Sequence, residues 1–320
     1  MWCRILPVVF ALFVASVAQA QNYPDRPIRL IAPFPAGGLA DVLARAVGDE
    51  MSKTLGQPVI VENRAGAGGN TGADAVAKAT PDGYTLLMAS AGILTANPFL
   101  YAQMPFNVET AFIPVSNVAD MSMLVVVNPK VQANTLKEFV ALAKAQPGKI
   151  NFGSPGIGTT GHLGLAMLMV AADIKITHVP YRGAAPAVTD LIAGQIDGVV
   201  DNPPTVLTHI QADKLRPLAV AAKQRMALLP DVPTAAEAGV AHYEASSWFG
   251  VAAPAGTPPA IVAKLHQSVA AAVRTPAMQE RFGKLGARML GSSPQEFAAQ
   301  IQTERVEWGK IIKAANITPQ

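Results

Sequence analysis

Glycine, serine and threonine crowd two short stretches of this chain in a pattern suited to holding an anion. The first is Pro33-Phe34-Pro35-Ala36-Gly37-Gly38, and the second runs Gly153-Ser154-Pro155-Gly156-Ile157-Gly158-Thr159-Thr160-Gly161. Each follows an apolar, strand-like run and precedes a helical pattern. At such a junction the first helical N–H groups lack internal partners, and the aligned peptide dipoles leave partial positive charge. Glycine lets a ligand approach the backbone closely, so each loop is a candidate anion cradle. One helix end contributes about 0.3–2 kcal/mol, so micromolar affinity needs both loops together with desolvation. Neither loop contains lysine or arginine, so recognition is expected to rest mainly on backbone amides. Ser154, Thr159 and Thr160 add hydroxyls that can reach a carboxylate or a bridging water, and each can equally cap the following helix. Asp41, in the first turn of its helix, reads first as a local cap and second as a contact to a ligand ammonium.

Residues that would do covalent or metal chemistry are not grouped. The chain has no G-x-S-x-G elbow, H-E-x-x-H pair or P-loop. His162, His178, His209, His242 and His266 lack metal-ligand spacing. Neither catalytic residues, nor a metal, nor a cofactor is expected. Gly66-Ala67-Gly68-Gly69-Asn70-Thr71-Gly72 approaches a dinucleotide fingerprint, but its spacing is G-x-G-x-x-x-G, and Met88-Ala89-Ser90 stands where an acidic ribose partner belongs. Asp197 and Asp201 flank one strand and read as its ends, Asp201 leading into the helix at Pro203. Asp201-Asn202 also sits at a strand's C-terminal end, where open α/β sheets hold ligands.

Positioning these loops requires alternating strands and helices. Ile28–Phe34 reads as a buried strand, and Leu39–Leu55 as a helix stopped by Gly56. Val59–Glu62, the helix Thr71–Lys78 and the strand Tyr84–Ala89 follow. Met123–Val127 opens a second βα series. Its helix starts at the capping box Thr135-Leu136-Lys137-Glu138. Strand Ile150–Phe152, helix His162–Ala172, strand Ile176–Val179, helix Pro186–Ala193 and strand Gly198–Val200 continue the alternation. Ser247–Ala253 reads as a strand returning to the first series. Ser293-Pro294-Gln295-Glu296 opens a final helix to about Ala315. The pattern is α/β, in two lobes.

The 320 residues are half hydrophobic and 15% charged, with a net charge of +3, which suits buried sheets and argues against disorder. No basic run of the kind nucleic acids need is present, and none is expected as a partner. Met1–Arg4, the apolar Ile5–Val17 and Ala18-Gln19-Ala20 form a signal peptide, residues 1–20, with cleavage expected after Ala20. The single cysteine, Cys3, falls inside it. The remainder holds about two domains' worth of chain at ~150 residues each.

Several stretches together resemble one family. They are Tyr23-Pro24-Asp25-Arg26-Pro27-Ile28, the first glycine loop with Asp41 and Arg45, Glu62-Asn63-Arg64 with Gly66-Ala67-Gly68-Gly69, and Pro81-Asp82-Gly83-Tyr84-Thr85-Leu86-Leu87. His178-Val179-Pro180-Tyr181 with Gly183 and Pro186, then Gly194-Gln195-Ile196-Asp197, complete the set. The chain is similar to substrate-binding proteins of tripartite tricarboxylate transporters, the Bug family. Arg182, where lysine is more common, and Val200, where a bulkier residue is common, depart from it.

The resemblance implies a two-lobed periplasmic-binding-protein type II architecture with a two-strand hinge. Residues 21–124 and 246–320 would form one lobe and 125–245 the other, with Met123–Val127 and Ser247–Ala253 crossing between them. It implies a periplasmic monomer that captures a small carboxylate for a membrane permease or for sensing. The implied contacts are Phe34, Pro35, Ala36, Gly37, Gly38, Asp41, Ser90, Ser154, Gly156, Gly158, Thr159, Thr160, Tyr181 and Asp201. The alternative is a periplasmic α/β enzyme acting on a small organic acid.

Overall fold

The computed structural model describes residues 23–314 and 319, so the expected signal peptide lies outside the described residues. Strands β1 (Ile28–Ala32), β2 (Val59–Asn63), β3 (Thr85–Ser90) and β4 (Phe112–Ser122) come first. They are followed by β5 (Leu124–Val127), β6 (Asn151–Ser154), β7 (Thr177–Pro180), β8 (Gly198–Asp201) and β9 (Arg216–Val220). Then come β10 (Ser246–Pro254) and β11 (Ala287–Met289). They build two mixed sheets, ordered β11-β4-β10-β3-β1-β2 and β7-β6-β8-β5-β9. Among the described residues no helix is long and apolar enough to cross a membrane.

Parallel pairing decides where a site can lie. β1 pairs in parallel with β2 and β3, and β6 with β7 and β8. The C-terminal ends of each trio therefore share one edge of their sheet, the edge where loops to the following helices begin. Near-continuous apolar runs make these strands: β3 is buried from Leu86 to Ser90 and β5 throughout. The helix Leu39–Leu55 buries Leu43, Val47 and Met51 on one stripe and ends at Gly56, whose φ of 70° stops it in the left-handed region.

The chain passes between sheets at two adjacent points. Met123 links β4 to β5, and Ala245 leads into β10. The Met123 amide donates to the Ala245 carbonyl at 3.0 Å, the Ala221 amide to Met123 at 2.8 Å and the Ala245 amide to Ala221 at 3.0 Å. Those bonds tie both crossings into one hinge. The expected crossing strand Ser247–Ala253 instead lies wholly in the first sheet, paired with β3 and β4.

β4, β9, β11 and the helices Pro259–Arg274 and Pro276–Gly283 are elements the sequence reading did not identify. β4 escapes it because Ser116 and Asn117 are buried polar residues that break the apolar pattern. Ser116 Oγ donates to the Ser292 carbonyl and Asn117 Nδ2 to Gln300 Oε1, both long-range partners. The strand Ile28–Phe34 ends earlier, at Ala32, before Pro33 and Pro35 remove two donors.

The final helix, Pro294–Ala314, runs from one sheet toward the other. Phe297 and Ile301 pack with Trp248 in the first core, the Trp248 and Phe297 rings meeting edge-on at 5.1 Å. Trp308 and Ile312 join Ala96 and Leu100 against Leu163, which belongs to the second unit. Gly250 of β10 makes room for Phe297: a methyl there would strike the Phe297 ring and come within 2.8 Å of the Ser116 carbonyl oxygen. Gly250→Ala is expected to destabilise the protein by about 1–3 kcal/mol through overpacking, read from the midpoint of urea denaturation.

Candidate functional site

The first loop leaves β1 and turns into Leu39–Leu55. Its exposed tip, Pro35, Ala36 and Gly37, is held from below by Asp41, which is buried. Asp41 Oδ2 accepts from the Gly37 amide at 2.9 Å, and Oδ1 accepts from Asn63 Nδ2 at 2.9 Å and Arg45 at 2.8 Å. Asn63 Nδ2 also donates to the Phe34 carbonyl at 3.1 Å. Burial acts to raise the Asp41 pKa, but the bonds from Arg45, Gly37 and Asn63 outweigh it and hold the carboxyl below its ordinary range. Asp41 is therefore employed in shaping the loop, and its carboxylate is already occupied. The helix that follows has Gly38 at its N-cap and no side-chain cap. Helix geometry leaves the Leu39 and Ala40 amides without intrahelical partners.

The second loop is built around Ser154, the buried last residue of β6. Its Oγ lies 2.6 Å from His178 Nε2 and accepts from the Gly156 amide at 3.1 Å. The Gly158 amide donates to His162 Nδ1 at 3.3 Å, which places the His162 proton on Nε2. The two imidazoles stack, centroids 4.1 Å apart and 17° from parallel. Thr159 Oγ1 donates to the Gly156 carbonyl at 2.6 Å instead of capping its helix. The amides of Gly156 and Gly158, two expected contacts, are thus engaged within the protein. Helix geometry leaves the Thr160 and Gly161 amides, at the uncapped start of Thr160–Ala172, without intrahelical partners. Gly156 and Gly158, at φ 138° and 76°, are required by the loop's own shape.

The remaining expected contacts fall around these loops with their polar atoms variously committed. Ser90 closes β3 and is buried. The Tyr181 hydroxyl donates to Asp190 Oδ2 at 2.7 Å, and burial with that carboxylate pushes its pKa up to about 12. Asp201 is 2% exposed, and its Oδ1 accepts from the Asn202 amide at 2.7 Å. Burial raises its pKa to about 6. Thr160 is half-buried.

Each loop approaches the opposite unit. Pro35 Cγ would lie 3.7 Å from a methyl placed on Gly183, and Tyr101 Oη donates to the Ile157 carbonyl at 3.0 Å. Tyr101 and the stacking of His162 on His178 were not anticipated from the sequence. His162 was findable: a residue four positions after Gly158, at a helix start, can fold its ring back onto that amide.

Burial depresses His178 to about 4 and His162, with repulsion from His178 added, to about 3. Both are neutral at pH 7. An unfolded chain protonates them near 6.5, so it binds more protons than the fold as pH drops below that value, and stability falls. Asp201 acts oppositely between its ordinary 3.8 and about 6, its raised pKa favouring the fold at lower pH. Comparison with the double variant His162→Gln, His178→Gln isolates the pair. Any melting-temperature advantage of the native protein is expected to be largest at pH 7 and to shrink toward pH 5. A difference independent of pH would show that the pair is not held neutral.

Comparison with known proteins places this geometry among relatives. Residues 43–317 match the model of the tripartite tricarboxylate transporter family receptor. The protein BugT of Bordetella pertussis is 38% identical over 316 residues, covering 97% of each chain. A solved structure of R. palustris Rpa4515 with adipate superposes with a TM-score of 0.88 at 36% identity, covering 93% of this chain and all of that one. MatC from Rhodopseudomonas palustris with bound malate gives 0.85 at 32% identity, over 91% of this chain and 100% of that one. The match spans most of the chain and both sheets: this protein belongs to the tripartite tricarboxylate transporter receptor family.

Proposed function

We propose that this protein is a periplasmic receptor that captures a small dicarboxylate between residues 21–124 with 246–320 on one side and 125–245 on the other. The observation that carries the reading is the pair of uncapped helix starts, at Leu39 and Thr160, each behind a glycine loop free of lysine and arginine. Thr135 and Thr275 cap their helices with side chains, accepting from the Glu138 and Met278 amides, while the helices at Ala184, Pro203 and Pro259 also start without a side-chain cap. The starts at Leu39 and Thr160 are set apart by the glycine loops that precede them. Two open, positive helix ends facing one cleft suit an acid with a carboxylate at each end. Adipate and malate in the related structures are such acids. The captured solute would pass to a membrane permease of the tripartite type, the receptor acting as a monomer.

Ser154 and His178 have the 2.6 Å contact of a nucleophile with its base. Their surroundings support binding rather than catalysis. No carboxylate among the hydrogen bonds described orients His178, whose ring instead stacks on His162, and a base held near 4 takes a hydroxyl proton poorly. Incubating purified protein with candidate acids is expected to yield no product.

Proline at the first helical position removes one amide while keeping the helix. Thr159, at φ −75° and ψ 160°, already has the extended conformation a following proline demands. Thr160→Pro is expected to weaken binding by about 1.5–3 kcal/mol, roughly ten- to a hundredfold, for one charge-assisted bond lost. Thr160→Ala, which keeps the amide, should cost less, and calorimetry with adipate or malate separates the two. Equal losses would assign recognition to the hydroxyl. The mono-amide of the same acid is likewise expected to bind more weakly than the acid, and equal affinity would refute carboxylate recognition.

A further inference from the structure

Gly92 sits in the π-helix Gly92–Ala96 that follows β3, and it is buried. Its own unit gives no reason for glycine. The residue is not among those with positive φ, and alanine is favoured over glycine within helices. The atoms a methyl group would strike belong to the other side of the cleft: the Gly158 carbonyl oxygen directly, and the Gly158 carbonyl carbon at 3.1 Å. The next neighbour, Asn97 Oδ1, is 3.8 Å away, an ordinary contact. With the second glycine loop withdrawn, the first unit has room for a side chain at position 92.

Gly158 is part of the loop that ends at the open helix start of Thr160, so the backbone that meets Gly92 is the backbone that frames the site. The same face is fastened by the Tyr101 hydroxyl on the Ile157 carbonyl and by Ala96 and Leu100 packed with Leu163. Gly68 also approaches this loop, but its φ of 60° requires glycine in any state. Gly92 differs because its missing side chain serves the closed arrangement alone.

We propose that Gly92 is a positioning residue for capture: its bare backbone seats the Gly156–Gly158 loop on the first unit, and that seat fixes the closed state. This rests on the reading of the protein as a two-lobed binder. Bulk at position 92 should then block closure without harming the fold.

A ligand-independent measurement tests it. In a Cys3→Ser background, Pro35→Cys and Gly183→Cys place two thiols across the cleft where Pro35 approaches Gly183. Any strain at Gly183 is common to both proteins compared. Adding Gly92→Ala is expected to slow disulfide formation at least tenfold without ligand, with a melting temperature unchanged or raised. In the chain without these cysteines, Gly92→Ala should lower adipate or malate affinity at least tenfold. Unchanged cross-linking, no cross-linking even with Gly92 present, or a misfolded Gly92→Ala protein would each overturn the proposal, the last because the first unit would then lack the room argued for it. Native protein that binds no carboxylate would contradict the proposed function, while the cross-linking rate would still decide the role of Gly92.

Discussion

A buried loop that offers amides to a ligand must satisfy every other polar atom it carries, and this constraint shapes the second half of the protein. Unpaired polar groups in a closed cleft would cost about 1–3 kcal/mol each. The Ser154–Thr160 loop meets the constraint with two histidines. His178 holds the Ser154 hydroxyl, that hydroxyl holds the Gly156 amide, and His162 accepts from Gly158. Helix geometry leaves the amides of the helix start beyond without intrahelical partners, and these are the donors proposed to meet the ligand. The first loop, exposed at its tip, is shaped instead by a carboxylate, Asp41 taking the Gly37 amide and being held in turn by Arg45 and Asn63.

Neutral histidines suit this task better than cations would. An arginine in the closed cleft would hold an anion strongly but would itself need a partner whenever the cleft stood empty. Helix ends carry only partial charge and need no counterion, so capture and release can both stay within a few kcal/mol. The hinge matches that economy. Met123, Ala221 and Ala245 exchange backbone bonds that a small rotation can preserve. Closure then depends on the seat between Gly92 and Gly158 and on the apolar contact of Leu163 with Leu100 and Trp308.

The α/β rhythm and both loops were legible because apolar strand runs and glycine junctions are local features. The ends of Leu39–Leu55 coincide with the sequence reading for the same reason, Gly56 being its own stop signal. β4 was not legible, since Ser116 and Asn117 become reasonable core residues only once Ser292 and Gln300 arrive from far along the chain. The internal bonds of the Gly156 and Gly158 amides were not legible for a related reason. Their acceptors are side chains whose rotamers and neighbours the spacing alone does not reveal. Gly92 carries no sequence signal at all, because the atom that excludes its side chain comes from the opposite sheet.

Backbone amide resonances offer the most direct view of recognition by helix ends. In a nitrogen-15 NMR titration with adipate or malate, the largest shifts should fall on the amides of Leu39, Ala40, Thr160 and Gly161. The side-chain resonances of Arg45 and Arg182 should stay nearly still. Large arginine shifts beside unmoved helix-start amides would contradict recognition by the backbone.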